Sequence, residues 1–523
     1  MAKSKYDIVV VGAGSAGAII AARLSEDEGR SVLLLEAGAD YPDLDRMPQE
    51  IKYGYGYDPD IWARAFGPES PHNWAYTARA TDSASEILVP RGRIVGGSSA
   101  VNAQIWLRGE PDDFERWAQC GNDGWSFEEL LPCFKRIETD LDFPDEFHGA
   151  DGPIRVRRFT RQQLNPDQHG FYEACLAAGF DDCPDHNHPD STGVGPLPLN
   201  NVDGIRWSTA IGYLGPARDR KNLTIQPNTQ VSRVLLEGMR AVGLETIRAG
   251  KISSIFGDEI VLSAGAIGSP HILMLSGIGP AHNLISVGVP TVHDLPGVGQ
   301  NLRDHPRIQA SWRTKPGVAL DPLEPRLQVS LRYTAEGSDR RNDMVIHNFS
   351  AVTARPEDRY FPTDSTPIGF ANAICIHSPL GSGELKLASY CPTTHPLLDY
   401  NYLQAPFDRE RFRESVRICI DVANHQPLRE IIAERIDPTD ADIASDESLD
   451  RWLLREVRTC HHVCGTCSMG PASDEMAVVD NWGRVHGIEG LRVADASIMP
   501  DIVRANTNAA AMAIGERISD FMS

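Results

Sequence analysis

Near the N-terminus, an apolar run over 6–11 breaks into Gly12-Ala13-Gly14-Ser15-Ala16-Gly17 and continues as an Ala/Ile/Leu-rich stretch to Arg23. A second apolar run over 31–35 ends in Glu36, 19 residues after the last glycine. A glycine pattern alone fits an ordinary turn. The full order of strand, tight turn, helix, strand and terminal acid reads as a βαβ unit that binds a dinucleotide. Gly12 permits the turn, Gly14 lets the backbone approach a pyrophosphate, and Gly17 allows close helix–strand packing. Ser15 and Ala16 stand where a helix N-terminus offers free N–H groups and partial positive charge to phosphate. A carboxylate at Glu36 accepts hydrogen bonds from the adenosine ribose and disfavours a 2′-phosphate, so the ligand is FAD or NAD rather than NADP. The motif does not choose between those two.

At 523 residues the chain has room for two or three structural units with large cores. Over 308–454 the texture changes to alternating runs at 327–333, 344–347 and 384–388. These predict a largely antiparallel sheet, with one helix over 408–430 covering it. The formal net charge of −22 repels polyphosphate and anionic lipid, which argues against nucleic-acid and membrane partners. The first apolar run reaches Gly12 within six residues, too short for a signal segment or a span, so a cytoplasmic location is the expectation. Ten irregularly spaced cysteines in such a chain read as reduced thiols.

Two further segments carry a resemblance. Gly92-Arg93-Ile94-Val95-Gly96-Gly97-Ser98-Ser99-Ala100-Val101-Asn102-Ala103, continuing to Gly109, resembles the first signature of the glucose–methanol–choline (GMC) oxidoreductases. Gly265-Ala266-Ile267-Gly268-Ser269-Pro270, continuing to Gly279, resembles the second. Supporting similarity runs through 297–305, which ends in Arg303-Asp304-His305, and through 492–497. The resemblance spans the chain and implies FAD. It implies an α/β architecture, in which a Rossmann-like FAD-binding domain is joined to an α+β substrate domain with a largely antiparallel sheet. The expected division gives 1–155, 221–307 and 455–523 to the FAD domain, and 156–220 and 308–454 to the substrate domain.

Read from the residues alone, a glycine pair followed by two hydroxyl side chains builds a tight loop able to face a ligand, or an ordinary turn. The resemblance places Gly97, Ser98, Asn102 and Ala103 against the flavin and its phosphates, and Val231 near the adenine. Trp74, His461, Asp495, Thr507 and Asn508 are further candidate cofactor contacts, although spacing alone puts neither Trp74 nor Trp62 nor Trp312 in a pocket. Some family members attach the flavin to a histidine in the first signature. Val101 occupies that place here and has no nucleophilic nitrogen, so the FAD is expected to be non-covalent.

Cys460-His461-His462-Val463-Cys464-Gly465-Thr466-Cys467 is the densest chemistry in the chain. Three thiols and two imidazoles suit zinc, but a structural zinc site needs a second set of ligands, and none is evident. No metal is therefore expected. The alternative is that His462 matches the family's active-site histidine in a His-x-x-Gly-Thr pattern, and imidazole is the side chain suited to accepting a proton near neutrality. Asn506 aligns with the family's second active-site position and would orient the alcohol oxygen. The implied reaction is oxidation of an alcohol to an aldehyde or ketone. His462 acts as base, hydride passes to flavin N5, and reoxidation is by oxygen, a quinone or another carrier. This chain departs from the family at Val463, Cys464 and the segment 379–383, which lacks an expected basic residue. A cyanohydrin lyase that keeps FAD as scaffold, a light-driven decarboxylase and a non-catalytic binding protein are the rival readings. The alcohol, the oligomeric state and the choice between oxidase and dehydrogenase are not encoded in any motif.

Overall fold

The computed structural model describes residues 5–352 and 367–523, apart from 57, 59 and 319. Two seven-stranded sheets organise it. The first begins with the βαβ unit. Tyr6–Val11 pairs in parallel with Val32–Leu35, and the helix Gly17–Leu24 connects them. Val9, Val10, Leu33 and Leu34 are fully buried, as expected of parallel strands covered on both faces. The order runs Leu223–Gln226, Val32–Leu35, Tyr6–Val11, Lys251–Leu262, Arg240–Arg248, Gln230–Glu237. Lys251–Leu262 has two roles. Its first half pairs antiparallel with Arg240–Arg248, and its second half pairs in parallel with Tyr6–Val11 and Leu491–Val493.

The glycines act as the motif requires. Gly12 has φ +96°, and a Cβ there would lie 2.4 Å from the Ser263 carbonyl oxygen. A Cβ on Gly17 would lie 2.0 Å from the Gly12 carbonyl oxygen, so only glycine lets the helix sit this close to the turn.

The second sheet is antiparallel throughout, in the order Ile432–Asp437, Pro306–Thr314, Gly369–Ile376, Met344–Val352, Val329–Tyr333, Gly193–Pro196. This is the sheet expected from the alternating runs. Helices Pro166–Ala177 and Pro406–Val422 pack on it. Two details differ from the sequence expectation. The helix expected over 408–430 is two, Pro406–Val422 and Leu428–Ile431, because Pro427 cannot continue the first and lies between them. The run at 384–388 forms the strand Glu384–Lys386, which pairs with Leu397–Asp399 outside the main sheet. No helix among the described residues is long and apolar enough to cross a membrane.

The second sheet also delivers two histidines to one place. Arg458–Thr459 pairs with Pro306 and Arg307. Asp304-His305, just before one strand, therefore lies beside Cys460-His461-His462, just after the other.

Candidate active site

One continuous cavity is lined by Gly12, Gly14, Ser15, Ala16 and Glu36 from the βαβ unit, and by Trp74, Gly97, Ser98, Val101, Asn102 and Ala103 from the next segments. Val231, Asp495, His461, His462, Asn506, Thr507 and Asn508 line the same cavity. Of the residues proposed from sequence, Gly17 alone is not on its wall. It packs behind Gly12 instead.

The two glycine-rich segments meet backbone to backbone, since a Cβ on Gly97 would lie 2.6 Å from the Gly14 Cα. Ala16 caps the first helix without a side-chain hydrogen bond, which leaves the helix N-terminus open towards the cavity. Ser15 Oγ donates to Asn508 Oδ1 at 2.8 Å, tying the first helix to Thr507–Met522. Glu36 accepts from the Ala13 N–H at 3.0 Å and the Gly38 N–H at 2.8 Å, and burial pushes its carboxyl up to about 7. Thr229 donates its N–H to the Glu36 carbonyl, which brings Val231 to the same end of the cavity. Asp495 accepts from the Gly265 N–H and Ser269 Oγ, at 2.9 and 2.6 Å. Trp74 stacks on Tyr76 and carries the Arg93 guanidinium 5.0 Å from its ring centre.

At His462 the geometry tightens. Its Nε2 lies 3.0 Å from Asn506 Nδ2, and its Nδ1 lies 2.9 Å from His305 Nδ1. His305 Nε2 is 3.0 Å from the Val503 carbonyl oxygen. Asp304 Oδ1 accepts the backbone N–H groups of both His305 and His462, each at 2.8 Å. Burial pushes the His462 imidazole well below its ordinary range, reinforced by His305, His461 and Arg91. Asn506 precedes the first turn of Thr507–Met522, but its side chain does not cap that helix. The loop before it is anchored by Arg504, whose Nε and N–H both bond Asp113 at 2.7 Å inside the protein.

The cysteines of this stretch do not converge. Cys460 Sγ lies 2.8 Å from Cys375 Sγ, while Cys464 is buried in a backbone bridge to Arg303 and is not on the cavity wall. Among the described residues, the group able to hold a metal is Glu138, Asp140 and His148. Arg108 pairs with Glu138 and Arg158 with Asp140, so that group is already neutralised.

Sequence reasoning missed several cavity residues. Arg91, Tyr76 and His395 line it without a motif that marks them, and His271 lines it from inside the second signature, where it was given no role. Arg206 is buried and donates to the carbonyls of Ala100, Asn102, Glu50 and Ile51, which fixes the loop bearing Val101 and Asn102. His305 lay inside a segment noticed only as supporting similarity.

Whether these residues fit FAD can be tested on the wall itself. An Arg91 guanidinium nitrogen, His271 Nε2, Asn506 Oδ1 and Asn508 Nδ2 are buried, line the cavity and have no hydrogen-bond partner among the described residues. Buried polar atoms of this kind cost about 1–3 kcal/mol each unless a ligand or water satisfies them. Together with the paired glycine backbones and an open helix N-terminus, they fit a long polar ligand with a central pyrophosphate.

Comparison with known proteins gives the family. The GMC oxidoreductase family profiles match residues 6–307 and 379–515. An uncharacterised GMC-type oxidoreductase from the thcA 5′ region of Rhodococcus erythropolis is 37% identical over 99% of both chains. An oxygen-dependent choline dehydrogenase of Vibrio vulnificus is 33% identical, covering 99% of this chain and 94% of that one. The crystal structure of pyridoxine 4-oxidase from Mesorbium loti superposes with a TM-score of 0.89 at 32% identity over 99% of both chains. A formate oxidase structure, at 24% identity, shares the fold with a TM-score of 0.88, covering 99% of this chain and 98% of that one.

Proposed function

Because the chain belongs to the GMC oxidoreductases, FAD-dependent enzymes acting on CH–OH donors, we propose that it oxidises a small primary alcohol to the aldehyde, with His462 as general base and Asn506 orienting the alcohol oxygen. The observation that carries this reading is the His462–Asn506 contact at 3.0 Å on the wall of the dinucleotide cavity.

Removing the hydroxyl proton raises the electron density that expels the carbon-bound hydride, so a neutral imidazole must stand next to the alcohol oxygen. Burial holds His462 neutral at pH 7, and its neutral form accepts the proton. Asn506 Nδ2 carries two hydrogens, so the amide can donate to the alcohol oxygen while the alcohol O–H takes the place of the amide N–H at His462 Nε2. Bound FAD would supply the redox chemistry, as acceptor of the carbon-bound hydride and donor to oxygen, a quinone or another carrier. Gly12, Gly14, Ser15, Ala16 and Glu36 would hold its adenosine and pyrophosphate, with Val231 near the adenine. Gly97, Ser98, Asn102, Ala103, Asp495, Thr507 and Asn508 would hold the rest, with Trp74 and His461 as further contacts. Val101 stands on the cavity wall and offers no nucleophile, which supports non-covalent FAD.

Choline and pyridoxine, the compounds in two relatives' names, belong in the first panel of substrates. The test is anaerobic addition of that panel to the yellow protein, followed by air. Loss of the oxidised-flavin bands with one alcohol supports the reading. Peroxide on admitting air makes the enzyme an oxidase, and slow recovery a dehydrogenase. If no alcohol bleaches the flavin and a cyanohydrin releases aldehyde at constant spectrum, the lyase reading replaces it.

A further inference from the structure

We propose that His305 is a positioning residue for the base: it fixes the His462 tautomer with Nε2 bare, and then shares the abstracted proton, so that the working base is a pair of imidazoles. The proton-sharing half rests on the function proposed above; the tautomer half does not.

The argument is a proton inventory. The Val503 carbonyl can only accept, so the 3.0 Å contact requires a hydrogen on His305 Nε2. His305 is fully buried, and burial pushes its imidazole down to about 3, so it is neutral and its Nδ1 carries a lone pair. The 2.9 Å Nδ1···Nδ1 contact is then attractive only if His462 Nδ1 donates. A neutral His462 protonated at Nδ1 is bare at Nε2, the atom 3.0 Å from Asn506 Nδ2. That fixes Asn506 in turn: its NH2 faces His462 and its unpartnered Oδ1 faces away. Every hydrogen in the chain Val503, His305, His462, Asn506 is assigned by one backbone carbonyl.

The same chain handles the proton. When the alcohol O–H displaces the Asn506 N–H from His462 Nε2, its bond breaks and an Nε2–H bond forms, and the pair gains one positive charge. The Nδ1 hydrogen can then shift to His305, leaving His462 neutral with Nε2–H and His305 doubly protonated, bonded to both His462 and the Val503 carbonyl. The charged and titratable groups around this pair are His461, Arg91 and His347 beside His462, and His377 and Asp501 beside His305. The His377 ring stacks on His305 with centres 4.4 Å apart, which holds the His305 plane. Asp304 holds both backbones, so the two rings are positioned by one carboxylate and one carbonyl.

The test has a readout independent of turnover. In holoenzyme labelled with 15N-histidine, long-range 1H–15N correlations should report His462 as the Nδ1–H tautomer and His305 as the Nε2–H tautomer. In His305→Leu the His462 signature should change, and the anaerobic bleaching rate should fall on the order of 10²–10⁴-fold with FAD still bound. His305→Asn, whose Oδ1 can accept from His462 Nδ1, should regain at least tenfold of that loss; a residue that merely fills space would not be rescued by a smaller amide. A wild-type spectrum with His462 bare at Nδ1 overturns the proposal even if the leucine variant does not fold, and so does a folded His305→Leu that bleaches at the wild-type rate. If the tautomers are as stated but no alcohol bleaches wild type, the function fails while His305 remains the tautomer-setting residue.

Discussion

Glu36→Gln isolates the cofactor end of the cavity. Glutamine keeps the volume but replaces one carboxylate oxygen with an NH2, which cannot accept the N–H of Ala13 or of Gly38. A buried N–H left without its acceptor costs about 1–3 kcal/mol of stability, read as a lower urea midpoint of the apoprotein. Binding loses something different. Hydrogen bonds from ribose hydroxyls to a charged acceptor are worth about 1.5–3 kcal/mol, so FAD affinity should fall about 10- to 150-fold. The pH dependence separates charge from shape. Burial pushes the free protein's Glu36 up to about 7, and hydroxyl donors in the complex favour the ionised form, so binding expels a proton below pH 7. Wild-type affinity should therefore weaken by up to about tenfold per pH unit on acidification from pH 7 and stay level above it. The glutamine variant should lack this slope. The assay is fluorescence titration of deflavinated protein with FAD between pH 5.5 and 8. A variant with wild-type affinity and the wild-type slope would refute the assignment of Glu36 to the ribose.

Other outcomes follow from the same geometry. With Val101 in the attachment position, acid precipitation of the holoenzyme should leave all the flavin in the supernatant; yellow pellet would mean a covalent link elsewhere. Burial pushes His347 down to about 3, against an ordinary 6.5, so the unfolded chain takes up its proton first and stability is lost as pH falls. Between pH 6 and 4, wild type should lose about 1.4 kcal/mol more per pH unit than His347→Gln, measured by urea midpoints; parallel slopes would contradict that burial.

How much of this was legible in the sequence depends on how local the cause is. Gly12, Gly17 and Glu36 could be read directly, because the turn, the helix approach and the acid at the strand end are fixed within one βαβ unit. The antiparallel sheet was legible from alternation, but the pairing of Glu384–Lys386 with Leu397–Asp399 was not, since alternation does not name a partner. Pro427 stands in the sequence, but the expectation ran a single helix through it. His462 and Asn506 were identified through family resemblance, and periodicity alone would not have joined them. His305 could not be joined to His462 by any spacing rule, because their contact arises from the pairing of Pro306 and Arg307 with Arg458–Thr459. Arg91 lines the cavity as a single residue without a pattern, and His271 lies inside the second signature without a side-chain role being legible there.

The central claim is that His462 removes the hydroxyl proton. The most direct measurement is the single-turnover rate of anaerobic flavin bleaching by the best alcohol, in wild type and in His462→Gln, with the flavin spectrum as a check on cofactor binding. The account predicts an unchanged spectrum and a rate lower on the order of 10²–10⁴-fold. A variant that holds FAD and bleaches within twofold of wild type would contradict it.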